Sequence, residues 1–192
     1  MKNTFTFLLI LLLCASCNST DSLDLKNEEN IETLEAIIAE NLNSDKDVYS
    51  LNFSAEKLTG ELEDISYDYL LKGSYFSETY DISSKVLSDP SKKNKFAYKN
   101  KKTFKIKDAP ISIIATKYQE ALKILEEQGL LEEDKDYHLD YWVFRTDKKG
   151  MIYADFDLNY YMNTTTSGRM RRTNYGQYQF IMNPDKSLNL KN

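Results

Sequence analysis

The sequence predicts an α+β protein in which two helices pack on antiparallel β-sheet. Three observations lead there: an apolar three-and-four spacing over 31–42, the same spacing over 111–125, and apolar or aromatic residues at every second position through much of the rest. The 192 residues suit one domain or two small ones.

In the first helix Ile31, Leu34, Ile37, Ile38 and Leu42 share a face, and Glu28 and Glu29 stand where the helix dipole favours negative charge. Over 48–55, Tyr49, Leu51, Phe53 and Ala55 form one apolar strand face. Tyr- and Phe-rich runs at 60–72 and 74–82, separated by Gly73, read as two more strands. The polar stretch 83–95, with Pro90, reads as a long loop, and a lysine-rich strand or hairpin follows through Ile106. Asp108-Ala109-Pro110 then starts a second helix, whose face is Ile111, Ile114, Ala115, Tyr118, Leu122 and Leu125, and Gly129 stops it. Strands at 137–145 and 150–162 flank the turn residues Asp147-Lys148-Lys149-Gly150, and a last strand over 169–182 ends at Asn183-Pro184-Asp185. In 150–162 the apolar side holds Ile152, Ala154, Phe156, Leu158, Tyr160 and Met162.

Each helix leads into an Asp-Lys-Asp triplet (45–47 and 134–136), a strand, a glycine (Gly60 and Gly150) and an aromatic strand. This order fits a tandem helix-then-β-meander repeat with halves 31–106 and 108–192. Few side chains match between the halves, so coincidence stays open beside duplication.

The first seventeen residues, MKNTFTFLLILLLCASC, place Lys2 before an apolar run from Phe5 to Cys14, with small Ala15 and Ser16 ahead of Cys17. This reads as an export signal over 1–16. Its apolar run, about ten residues, falls short of the roughly 20 that a spanning helix needs. Cys14-Ala15-Ser16-Cys17 resembles the lipobox of bacterial lipoproteins, with Cys14 where that pattern usually has Leu. The resemblance implies that Cys17 is acylated and becomes the mature N-terminus; the alternative is an ordinary secretory signal that leaves Cys17 a free thiol. It also implies a protein lipid-anchored in the outer membrane, facing the periplasm or the cell surface, since Asn18 rather than Asp follows the cysteine. The Asn-, Lys- and Tyr-rich composition is similar to that of Bacteroidetes lipoproteins. Asp21-Ser22-Leu23 resembles the Asp-Ser/Thr-aliphatic sequence that those bacteria O-glycosylate. Residues 17–30 are polar and read as a flexible tether to a domain at 31–192.

Composition excludes several chemistries. On the lipobox resemblance, which spends both cysteines on the signal and the lipid, the folded part is expected to hold no disulfide, thiolate metal site or cysteine nucleophile. A single histidine, His138, cannot build a multi-His metal centre, so no metal or cofactor is expected. The net charge of −5 argues against nucleic-acid binding. That charge is unevenly spread: residues 18–90 hold seventeen acids against five lysines, whereas 91–107 hold eight lysines and no acid.

Two candidate patches follow. Asp155, Asp157 and Asn159 alternate along 150–162, flanked by Tyr153 and Tyr161, so all five project from the face opposite the apolar side. Carboxylates two apart on a strand stand roughly 6.5–7 Å apart at their Cα atoms, near the separation an inverting glycosidase uses. Exposed Tyr153 and Tyr161 would then stack on a sugar or anchor an interface; the plainer reading is a solvated face whose acids pair across the sheet with Arg169, Arg171 or Arg172 and whose tyrosines serve sheet packing. Second, Lys92, Lys93, Lys95, Lys99, Lys101 and Lys102 form a basic patch interleaved with Phe96, Tyr98 and Phe104. This fits an anionic membrane surface or acidic partner, or an edge hairpin that its lysines protect from edge-to-edge pairing. His138, beside Tyr137 and Asp140, reads as structural or exposed, because no nucleophile and orienting partner can be placed around it.

No catalytic constellation emerges, and the leading expectation is a non-enzymatic binding or inhibitor-like module with an envelope protein or glycan as partner. A carbohydrate-active hydrolase using Asp155 or Asp157 and a structural envelope component are the alternatives. The helix-plus-sheet layout is similar to that of β-lactamase-inhibitor-protein and PepSY-type exported modules, a likeness of architecture without a shared motif.

Overall fold

The computed structural model describes residues 23–94, 98 and 101–191. The signal, Cys17 and two lysines of the basic patch, Lys95 and Lys99, lie outside the described residues.

Helix α1 spans Glu28–Asn41, followed by β1 (Asp47–Val48), β2 (Ser50–Ala55), β3 (Leu62–Leu71) and β4 (Ser74–Asp81). Three two-residue strands come next, β5 (Val86–Leu87), β6 (Ser91–Lys92) and β7 (Phe104–Lys105). Two 3₁₀ turns lead into helix α2 (Ile114–Glu127), and β8 (Tyr137–Thr146), β9 (Ile152–Ser167), β10 (Met170–Met182) and β11 (Leu188–Leu190) complete the chain. This is the α+β arrangement the periodicities predict, with two α-helices against a large antiparallel sheet.

Both helices bury the stripe their spacing marks: Ile31, Leu34 and Ile38 in α1, and Ile114, Ala115, Tyr118, Ala121 and Leu125 in α2. Helix α2 ends where Gly129 takes a left-handed φ of +68°. Its N–H bonds to the Glu126 carbonyl and that of Leu130 to the Leu125 carbonyl, which satisfies two carbonyls the helix leaves open.

The main sheet runs β5-β4-β3-β2-β8-β9-β10-β11, with β6 also on β4, and β1 pairs with β7 separately. Each helix therefore precedes a three-stranded meander, and the first strands of the two meanders, β2 and β8, pair antiparallel at the centre. On the face toward the helices, Phe53, Trp142, Phe156 and Phe180 form a cross-strand row, each side chain fully buried. Trp142 stacks on Phe156 at 4.3 Å and Phe156 on Phe180 at 5.3 Å between ring centroids. Such offset pairs add about 0.5–1.5 kcal/mol each beyond the area they bury.

Four expectations need correction. Residues 23–30 of the expected tether belong to the fold, because Leu23 and Leu25 are buried, Asp24 bridges Glu61 and α1 begins at Glu28. The expected loop at 83–95 contains β5 and β6; of the two alternatives for the lysine-rich segment, the described residues show a short strand, β7, which pairs with β1 while β6 adds to β4. Strand β9 continues five residues past 162 to Ser167, where Met162 is exposed rather than apolar-face. Strand β11, unmarked in the sequence reading, covers Phe180–Met182 of β10.

One close approach fixes the register of the last hairpin. Gly176 faces Tyr160 across β10 and β9, and a Cβ on Gly176 would lie 2.1–2.4 Å from the Tyr160 ring. That ring is stacked on Tyr178 and packed on Tyr137, so it has little room to yield. We expect Gly176→Ala to destabilise by about 1–3 kcal/mol, the range for overpacking a filled site, read as a lower urea midpoint at unchanged slope.

Candidate functional site

The helices cover one face of the sheet, and the other carries a polar network built on β8 and β9. Arg145 donates from Nη1 to Asp155 Oδ2 at 2.8 Å and from Nη2 to the Tyr141 hydroxyl at 3.0 Å. Lys191, one residue past β11, donates to the other Asp155 oxygen. Register explains the meeting: Val143 opposes Asp155, so Arg145, two residues on, reaches it diagonally on the same face.

Beside this network lies a groove of about 960 Å³ whose walls include Lys101, Lys148, Tyr153, Asp155 and Asn183, with Ile181 and Pro184 as apolar surface. Its floor is strand and one rim is the β8–β9 turn, which Asp147 ties by accepting from the Lys149 and Met151 N–H groups.

Asp157 differs from its neighbour. It accepts only from Gln177 Nε2, at 2.9 Å. Burial pushes its carboxyl pKa above the usual carboxylate range and the negative charge of Asp140 adds to this, against a smaller opposing pull from Lys191. Asp140 stands at the β-bulge that separates the Leu139–Leu158 and Tyr141–Asp157 pairs, and Lys57 lies 3.6 Å from it. Asp140, Asp157, Tyr141 and Lys57 line a second groove of about 610 Å³.

Of the five residues in the first patch, the structure gathers Tyr153, Asp155 and Asp157 and separates the other two. Asn159 is 2% exposed and opposes His138. Tyr161 lies beyond the end of β8, where no third strand supports the hairpin. The expected pairing with Arg169, Arg171 or Arg172 does not occur, because those residues sit at the far end of the β9–β10 hairpin, opposite Thr165 to Ser167. His138 is buried beneath Gly60, with Nε2 3.3 Å from Asp136.

The basic segment is also divided. Lys92 lies on β6 at the sheet edge, whereas Lys101 lines the larger groove with its Nζ 5.5 Å from the Tyr98 ring centre. Lys102 donates to the Lys149 carbonyl at 3.0 Å and accepts from Thr146, which holds the segment to the β8–β9 turn. Tyr98 packs against Tyr49 and Tyr75 and donates to Asp68, so burial and that carboxylate raise its pKa. The sequence reading missed Arg145, which alternates with Tyr141 and Val143 on the polar phase of β8, and Lys191, which carries no periodic signal.

The raised Asp157 pKa fixes a sign. The folded state holds the proton more tightly than the unfolded chain, so this group favours folding at low pH and the advantage is lost as pH rises past the unfolded value. We expect Asp157→Asn, whose amide oxygen still accepts from Gln177, to raise the Tm at neutral pH. The gain should vanish below about pH 3, where the wild-type carboxyl is neutral. Thermal melts at both pH values check this.

Comparisons with family models, with curated proteins and with solved structures find no match to this chain.

Proposed function

We propose that this protein is a lipid-anchored envelope lipoprotein that acts as a non-enzymatic binding module, with the open sheet face around Tyr153 as its recognition surface. The observation that carries the reading is the one-sided cover of the sheet. The helices bury one face, and the other keeps a groove of about 960 Å³ in which an aromatic ring, two ammonium groups and amide groups converge. A pocket with apolar and aromatic walls and a few placed polar groups suits a peptide or glycan segment. Asp155 supports a binding role over catalysis, because Arg145 and Lys191 engage both its oxygens. It fixes the two cations, and they occupy both its oxygens.

The anchor rests on the lipobox-like residues before Cys17. An acyl chain contributes roughly 0.8 kcal/mol per buried CH₂. Among the described residues no helix is long and apolar enough to cross a membrane.

A hydrolase is the second reading, and Asp157 with its raised pKa is the residue that favours it. A carboxyl whose pKa is raised by burial gives up its proton less readily than a free one, which suits a general acid. This moves the candidate chemistry from the Asp155–Asp157 pair to Asp157 and Asp140.

Two measurements test the proposal. A fatty-acid probe should label the wild-type protein in cells and not Cys17→Ala; label retained in the variant refutes the anchor. A photo-crosslinking residue at position 153 should capture an envelope component that the same residue at exposed Glu35 on α1 does not. Equal capture at both positions refutes the surface. Turnover of envelope glycans abolished by Asp157→Asn would replace binding with hydrolysis.

A further inference from the structure

The β9–β10 hairpin outruns its supports. β8 reaches β9 only up to Tyr160, and β11 covers β10 only from Phe180 to Met182. The ribbon between Tyr161 and Tyr175 is therefore two strands wide, and its seven β9 residues from Tyr161 to Ser167 extend about 23 Å beyond the sheet. An isolated two-stranded ribbon is marginal in water. This one is held locally by the Asn174–Asn163 side-chain bond at 2.6 Å and the Tyr161–Thr164 bond at 3.2 Å. Its surface is not that of a spacer: Tyr161, Met162 and Met170 are 46%, 49% and 76% exposed.

The charge on the ribbon has one sign. From Leu158 to Pro184 the chain contains Arg169, Arg171 and Arg172 and neither Asp nor Glu. Among the described residues none of these arginines forms an ion pair, whereas Lys46, Lys57, Lys107, Arg145 and Lys191 each pair with a carboxylate. The backbone is unpaired on the same side. Gln179 directs its carbonyl outward to the Lys191 N–H, at 2.7 Å, so alternate residues along β10 present their N–H and C=O groups outward as well. Beyond the three residues that β11 covers, the β10 edge from Met170 to Gln179 has no strand beside it among the described residues.

We infer that this edge is a docking site for an extended acidic segment of a partner protein, which adds to β10 as a further strand while its carboxylates meet Arg169, Arg171 and Arg172. Backbone pairing supplies the attachment and the arginines supply the choice of partner. A second copy of this edge would offer the arginines no carboxylate, because residues 158–184 hold no Asp or Glu, whereas an acidic segment would. The site is separate from the open-face groove, and the two readings stand or fall independently.

The test uses the folded protein, isotopically labelled, with two probes: a peptide of about twelve alternating Thr and Glu residues and its Thr–Lys counterpart. The acidic peptide should shift the amide resonances of 170–179 in a saturable way below about 1 mM, and the basic one should bind about tenfold or more weakly. Charge reversal in Arg169→Glu/Arg171→Glu/Arg172→Glu should invert that preference. Thr173→Pro, which removes an outward N–H from the edge, should abolish binding of either peptide, whereas Tyr153→Ala should leave it unchanged. Shifts confined to the Tyr153 groove, an affinity indifferent to charge reversal, or no saturable shift would each overturn the inference. Polygalacturonate shifting these amides while the acidic peptide does not would replace the protein strand with an acidic polysaccharide. Concentration-dependent dimerisation lost in Thr173→Pro would replace it with a second copy of the chain.

Discussion

The buried row Phe53–Trp142–Phe156–Phe180 fixes which way every strand around it faces. The four rings sit on four adjacent strands beneath the helices; Trp142, Phe156 and Phe180 stack in turn, and Phe53 meets Phe144 edge-on. A slip of one residue in any of these strands would turn its aromatic ring to water and bring a polar neighbour inside. The polar face is thus the complement of the row: Tyr141, Arg145, Asp155 and Asp157 are outward because Trp142, Phe144 and Phe156 are inward. The bulge at Asp140 restores this phase, for β8 enters with Tyr137 and Leu139 inward and leaves with Trp142 and Phe144 inward.

The central β2–β8 pairing determines where the sheet is exposed. With the first strand of each meander at the centre, β4 and β10 become the outer long strands. An outer strand with unpaired backbone invites unwanted pairing. The chain covers β4 with the short strands β5 and β6 and covers one end of β10 with β11. The other end of β10 carries arginines, a second means of limiting pairing that leaves the backbone accessible to a segment of opposite charge.

Legibility followed burial. Both helices, β2 and the first half of β9 announced themselves through apolar periodicity, because each puts a continuous row of side chains into the core, and β3 through its run of tyrosines. The β9 side of the outer hairpin did not. Asn163, Thr164, Thr165 and Thr166 form strand by pairing with β10 alone, and with neither face buried there is no alternation to read. The candidate site shows the same division. Outward projection of Tyr153, Asp155 and Asp157 was readable from period two, but their partners were not. Arg145 and Lys191 reach Asp155 only through pairing and chain-end placement that hydropathy does not encode. Asn159 shared the right phase and was still buried, because the segment ending at Gly60 folds over His138 next to it.

Charge was legible in amount and misread in place. The lysine-dense segment drew attention as the basic surface, yet part of it is committed to structure: Lys102 is tied to the β8–β9 turn, Lys105 and Lys107 pair with Asp45, and Tyr98 is anchored on Asp68. A charge already compensated within the fold has little left to offer a partner, since its field is cancelled at short range and screened over about 8 Å at physiological salt. Three arginines on the hairpin, fewer than the lysines and less conspicuous in composition, have no such compensation among the described residues. What a charged group can do for recognition depends on whether the fold has already neutralised it. By that measure the arginines at the tip of β9 and β10 are positive charge that no carboxylate among the described residues has neutralised, and there the β10 backbone is also open.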